Sequence, residues 1–521
     1  MNFPPRLKDA IFLIQDDPFT QHHWLKLMLE LRSSYADHPP FELKEYILNE
    51  VPDEGLAGIH KDSFLGYVFN DPRFVRRLGN RLLESRRIQA DRTMSYLNYE
   101  VATRAASSRN KQVFKESLYT AMVPELVTNL AKKLRGVIRR DDVRHRSRRV
   151  AVYASSICTA NHPPTQLALA HVRLLAELGY EVVVFSVQEH HIDTPSLYFA
   201  HGGFCGDLPF NLNGFEKLIG NTKTSIYITD PKLSLLSRWQ ESFRSILAYE
   251  PEFILFVGCF SPMVEVLSDV YPILAINVFS MAPMVSCDTW LCADDTLNED
   301  RKQLPDHPTL GLPYYYPHRV IAKQMTPLHE FSGLRFDQET LVLISIGARL
   351  DLEIEGEWAA SMCQLLLEVP SIRWVLIGGE GKMPQALSHT TNNRILILPH
   401  VSEILTYLSA ADIYVNPPRI GGGFSVADAM SVGLPVVSFR DCDGGCKIGD
   451  ESVETQDAYF KKLSELIQSQ TQRREIGEKL KNKFLAEICI SNAAPALARA
   501  IEQCHSEFVG RTQKSQIRPV S

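Results

Sequence analysis

From Arg149 onward, apolar residues fall into short β-rich bursts separated by amphipathic stretches. RRVAVYASSI reads as a strand, followed by a polar turn holding Pro163 and Pro164. TQLALAHVRLLAEL then places Leu167, Ala170, Leu174, Leu175 and Leu178 on one helical face. Gly179 stops that helix, and YEVVVFSV is the next strand. FILFVGCF and PILAINVF continue the series. A second series starts near Glu339. LVLISIGARL, RWVLIGG, RILILPH, DIYVNPP and LPVVSF read as strands; EWAASMCQLLLEV, SEILTYLSAA and FSVADAMSVG read as the helices between them. Strands alternating with helices predict parallel, doubly wound sheets.

The first 145 residues have a different period. LKDAIFLI, WLKLMLELRSSY and LYTAMVPELVTNLAKKL carry apolar residues three and four apart, so an all-α region is expected. The fold class is therefore α/β, with two Rossmann-like sheets behind a helical domain. Expected boundaries are 1–145 (helical), 146–330 (first sheet) and 331–507 (second sheet). A polar tail, 508–521, is expected to fray. In open sheets of this kind, ligands sit outside the carboxyl ends of the strands.

Composition narrows the partners. A net charge of −6 gives no overall reason to expect nucleic acid. The chain starts MNFPPRLKDA, without the basic-then-apolar pattern of a signal peptide. Its apolar runs are far shorter than a membrane span needs, so a cytoplasmic protein is expected. Between Lys132 and Arg149, nine Lys or Arg stand against two Asp. That stretch is either a solvated linker or a peripheral contact with an anionic membrane surface. The ten cysteines are scattered and read as buried thiols. Cys442 and Cys446 lie close in sequence, but a metal there would need two more ligands.

The segment richest in chemistry is NPPRIGGGFSVADAMSVGLPVVSF, Asn416 to Phe439. Gly421, Gly422 and Gly423 let the backbone approach a bulky anion. Ser425 is placed to cap the helix that follows, and that helix ends at Gly433 with Pro435 beyond. A helix N-terminus behind such a loop offers free N–H groups and a positive dipole end to a phosphate. Asp428, expected in the first turn, can accept hydrogen bonds from ribose hydroxyls.

The wider pattern YLSAADIYVNPPRIGGGFSVADAMSVGLPVVSF resembles the donor-binding segment of GT-B glycosyltransferases, in particular the O-GlcNAc-transferase-like group with its bacterial adhesin-modifying enzymes. The resemblance spans most of residues 150–505 and is specific over 411–439. It implies a nucleotide-sugar donor, uridine-linked, as co-substrate without a further cofactor. It implies that Asn416 opens the donor segment, that Gly422, Gly423, Phe424 and Ser425 contact the diphosphate, and that Asp428 binds the ribose. Retaining members carry an acidic residue eight positions before the one at Asp428. Ile420 stands there in this chain, which favours inversion.

Other positions fill out the reading. Arg349 follows the first strand of the second series, where a cation can neutralise a leaving diphosphate without metal. The alternative is a surface pair with Asp351 or Glu353. His162, in the Asn161–Pro164 loop, is either a general base toward an acceptor hydroxyl or a turn residue. His400 either stacks on the base or closes its strand. The turn Gly378–Gly381 and the run GCFSP are further strand-end candidates, and Tyr314, Tyr315 and Tyr316 form an aromatic cluster. The acceptor is a protein or a glycan. No carboxylate cluster resembles a divalent-metal site, so no metal requirement is expected. Two other classes remain open. One is a nucleotide-sugar epimerase drawing on Asp288, Asp294 and Asp295; the other is a non-catalytic subunit that binds a partner.

Overall fold

A computed structural model of the chain describes residues 41–69, 71–84, 90–103, 122–136, 144–158, 163–191, 216–219, 222–276, 278, 282–292, 311–313, 340–379, 381–388, 394–401, 404–419 and 421–517. His162, Asp294, Asp295, the three tyrosines and the helices expected before residue 41 lie outside them. The chain forms two compact units. The first comprises Met1–Leu291, Asn298–Gly311 and Ala500–Ser521; the second comprises Cys292–Leu297 and Leu312–Arg499.

Four strands of the first unit follow the sequence pattern: β1 (Arg149–Ala154), β2 (Glu181–Ser186), β5 (Phe253–Val257) and β6 (Ile273–Ile276); four more, β3 (Glu216–Ile219), β4 (Thr222–Ile228), β7 (Thr289–Cys292) and β8 (Gly311–Pro313), were not read from it. They form one sheet in the order β3-β4-β2-β1-β5-β6-β7-β8. The strands from β4 to β7 pair in parallel; β3 runs antiparallel to β4 at one edge. Each of β1 and β5 is buried along nearly its whole length, as expected where helices cover both faces.

The helical region precedes this sheet, with helices at Phe41–Glu50, Gly55–Val68, Pro72–Glu84, Ala90–Ser95 and Met122–Arg135. Three arginines of the basic stretch carry partners. Arg135 donates to Asp269 at 2.8 Å, Arg149 to Glu181 at 3.3 Å, and Arg146 pairs with Glu250.

The second unit contains β9 (Leu341–Ile346), β10 (Ile372–Ile377), β11 (Ile395–Leu398), β12 (Ile413–Val415) and β13 (Val436–Val437). All are parallel, in the order β11-β10-β9-β12-β13. Alternation along each strand feeds two cores. Leu343, Trp374, Leu376 and Val415 pack on one face with Trp358, Met362 and Tyr459. Val342, Ile344, Val375 and Tyr414 pack on the other with Val426, Met430 and Phe484.

The C-terminus departs from expectation. The final helix runs Ala494–Ile517, so residues 508–517 are helical rather than a frayed tail. Arg511 explains the extension. It donates to Asp288 at 2.9 Å and to the Ser268 carbonyl at 2.9 Å, anchoring the last turns to the first unit. Among the described residues, no helix is long and apolar enough to cross a membrane.

Candidate functional site

In the second sheet the chain winds outward from β9 in both directions, so the topological switch lies between β9 and β12. The loops leaving their carboxyl ends are the expected place for a ligand. They are Gly347–Arg349 and Asn416–Gly423. Beside them Asp351, Gly378, Gly379 and Lys382 line a small depression, so the Gly378–Gly381 turn lies at the same edge. His400 follows β11 at that edge and is exposed.

The helix after the glycine loop begins earlier than the sequence suggested. It spans Gly423–Ser431 with Gly422 as N-cap, φ +91°, and no side-chain cap. Ser425 is therefore the third residue inside the helix and does not cap it. Its hydroxyl instead donates to the Gly422 carbonyl at 3.0 Å and accepts from Tyr414 at 2.8 Å. Asp428 is correspondingly the sixth residue, past the first turn, and half-buried. The first N–H groups of the helix have no acceptor within it.

Glycine is required here by space as well as by φ. A Cβ on Gly422 would lie 2.6 Å from Arg419 Nε and 2.8 Å from Asn416 Oδ1. A Cβ on Gly423 would overlap the Asp443 carboxylate. Gly421 differs: among the described residues beyond its chain neighbours, a Cβ there would meet only Arg349 Nη2, at 3.9 Å. The open side of the loop thus faces the arginine predicted to act with it.

Beneath the loop lies a charged lattice. Arg419 is 7% exposed. It donates to Asn416 Oδ1 at 2.8 Å, Glu353 Oε2 at 3.1 Å, the Ile346 carbonyl at 2.9 Å and Tyr414 at 3.2 Å. Arg349 donates to the other Glu353 oxygen at 3.1 Å. One carboxylate therefore joins a buried and a half-exposed guanidinium. Lys447, buried and paired with Asp443 at 2.8 Å, adds a cation near Gly423. Arg349, Arg419 and Lys447, with Glu353 and Asp443 as their partners, and the positive end of the helix dipole thus lie around the loop.

Asn416 needs correcting as a donor contact. It is fully buried. Its amide nitrogen donates to Ser438 at 2.9 Å while its oxygen serves Arg419. With both ends engaged it braces the loop from below. Arg349 pairs with Glu353, one of the two partners its surface-pair alternative named, and its side chain is 40% exposed. Arg419 and Lys447 were missed, and Glu353 was weighed only as a surface partner of Arg349. The available signal was a lone arginine set between two prolines and three glycines in NPPRIGGG, where a charge has no reason to sit unless it is bound.

Burial would raise the Glu353 pKa, but Arg419 and Arg349 hold it below its ordinary 4.5. A carboxyl with a folded pKa below its unfolded one stabilises above about pH 4.5 and loses that contribution as pH falls through the folded value. Urea denaturation of wild type and Glu353→Gln is expected to show a stability gap at pH 7 that closes below pH 4.

In the first unit the switch lies between β1 and β5. Gly258, of the GCFSP run, abuts Ser155 after β1. Glu189, after β2, is fully buried. Its Oε1 accepts from Tyr153 at 2.9 Å, Trp239 at 2.9 Å and Ser261 at 2.6 Å. Burial pushes its pKa up to about 7 against those three hydrogen bonds. Asp288, a carboxylate the epimerase alternative would need, is taken up by Arg511 and by the Ile273 N–H.

Residues 342–469, which hold β9 to β13 and the glycine loop, match the family described as "Glycosyl transferases group 1". A mutant O-GlcNAc transferase of Thermobaculum terrenum aligns over 98% of this chain and 100% of its own, with a TM-score of 0.51 at 13% identity. The chain has a GT-B fold, and within it residues 342–469 are similar to the group 1 glycosyl transferases. WaaG, a glycosyltransferase involved in lipopolysaccharide biosynthesis, covers 67% of this chain and 99% of its own, with a TM-score of 0.44 and 10% identity. SnogD, a glycosyltransferase of Streptomyces nogalater, covers 68% and 99%, with 0.39 and 13%. No curated protein sequence matches the chain. The family match falls on the unit that holds the glycine loop, Arg349 and Arg419.

Proposed function

We propose that the chain transfers a sugar from a nucleotide-sugar donor, uridine-diphosphate-linked, to a hydroxyl of a protein or glycan acceptor, with inversion and without metal. The observation that carries this reading is the uncapped helix N-terminus at the β9/β12 switch point, open toward a half-exposed arginine. The diphosphate sits against the N–H groups of Gly423, Phe424 and Ser425. Arg349 exchanges Glu353 for a phosphate oxygen as the glycosidic C–O bond breaks. Negative charge then develops on the leaving nucleotide beside a cation already in place. Arg419 keeps Glu353 fixed throughout. The acceptor oxygen attacks the anomeric carbon from the opposite face and gives its proton to a base, the role assigned to His162. Asp428 and His400 are the proposed contacts for ribose and base. Inversion follows from Ile420 standing where retaining relatives of the resembled group carry an acid.

The test is release of UDP from a panel of UDP-sugars, with and without protein and glycan acceptors, in excess chelator. Acceptor-dependent UDP release that survives chelation is expected, with an inverted anomeric signal in the product's proton spectrum. Conversion of the donor sugar without any acceptor would instead identify an epimerase.

A further inference from the structure

Arg92 is 8% exposed, in the helix Ala90–Ser95 of the first unit. Its Nε is inaccessible, and among the described residues no hydrogen bond or ion pair reaches the guanidinium. The other two buried arginines among the described residues are both engaged. Arg238 donates to the carbonyls of Val187, Gln188 and His191; Arg419 meets Glu353. Neighbouring carboxylates are committed elsewhere. Asp91 accepts from the Leu235 N–H at 3.3 Å, and Asp62 is shared by Arg77 and Arg81. His60 adds no second positive charge and cannot supply a negative one: burial, then the Arg92 charge, lower its pKa to about 4, so it is neutral at pH 7. A buried lysine escapes such a position by losing its proton, but a guanidinium does not. An uncompensated buried charge calls for an anion.

We propose that Arg92 binds a small oxyanion, the phosphate or carboxylate group of a ligand, within the helical part of the first unit. The guanidinium fork suits two oxygens of either group. The position is connected to the sheet. The helix continues into a π-helix, Tyr96–Thr103, a form often found at functional sites. From it Asn98 donates to the Glu189 carbonyl at 3.0 Å, at the carboxyl edge of the first sheet. Six residues of helix separate Arg92 from Asn98, about 9 Å along the axis. This inference is independent of the donor site.

The test is the thermal midpoint of the full chain at constant ionic strength, titrated with inorganic phosphate or with acetate. Wild type, Arg92→Met and Arg349→Ala are compared, the last to remove phosphate bound at the glycine loop. The midpoint is expected to rise by a few degrees in wild type and Arg349→Ala, and not in Arg92→Met. A rise with phosphate alone assigns a phosphoryl ligand; a rise with both assigns a carboxylate-tolerant site. An unchanged rise in Arg92→Met, or a rise lost only in Arg349→Ala, overturns the proposal. If Arg92→Met does not fold, wild-type crystals grown with selenate decide. An anomalous peak at the Arg92 guanidinium supports the site, and its absence there refutes it.

Discussion

Arg349→Ala is expected to lower kcat/KM for sugar transfer by about 10²–10³-fold, the cost of removing one preorganised charge from a developing oxyanion. The fold should tolerate the change. Arg349 is 40% exposed and its partner Glu353 keeps Arg419, so the loss in stability should stay below about 1 kcal/mol. The two effects separate because the guanidinium lies on the open side of the lattice, 3.9 Å from a Cβ built on Gly421. Steady-state kinetics with the best donor, beside urea unfolding, checks both. A fall in kcat with KM little changed places the lost interaction in the transition state. Equal activity of the two proteins would remove Arg349 from the mechanism.

Arg419→Met should do the reverse, striking stability first. The change deletes a buried cation that meets Glu353, Asn416, Tyr414 and the Ile346 carbonyl together. Breaking a buried pair by removing one partner costs about 3–5 kcal/mol, because the remaining charge stays desolvated. Glu353 is 13% exposed and has only Arg349 left. The unfolding transition of the second unit is therefore expected to move to markedly lower urea, with nucleotide affinity falling as the glycine loop loses its support. A double variant, Arg419→Met with Glu353→Leu, should recover part of the stability, since it removes both charges. No recovery would mean that packing rather than charge sets the cost.

The second sheet and the centre of the first, β2-β1-β5-β6, were legible because most of their strands are buried and read as unbroken apolar runs, whereas the strands at both edges of the first sheet were not. LVLISI and FILFV have no other plausible place. The helices between them announced themselves by period, as in EWAASMCQLLLEV. The glycine loop was legible as a loop, but its exact edges were not. The helix starts at Gly423 because Gly422 adopts φ +91°, and a backbone angle at one of three adjacent glycines leaves no trace in the sequence. That offset moved Ser425 and Asp428 inward. The Arg419–Glu353 pair was invisible for another reason: its members stand 66 residues apart and meet only through sheet order. The last turns of the final helix were missed because a polar segment looks frayed until its partner is known, and Arg511 finds Asp288 223 residues away.

The central claim is that a nucleoside diphosphate binds at the open side of the Gly421–Gly423 loop. Calorimetric titration of UDP, in chelator, into wild type and Gly421→Leu tests it most directly. Among the described residues beyond its chain neighbours a Cβ at Gly421 meets only Arg349 Nη2, so the leucine should leave the fold intact while filling the space proposed for phosphate. Metal-free binding to wild type, weakened at least about 100-fold in Gly421→Leu at an unchanged unfolding midpoint, is the predicted result. Equal UDP affinity in the two proteins, or no binding of any nucleoside diphosphate to wild type, would contradict the account.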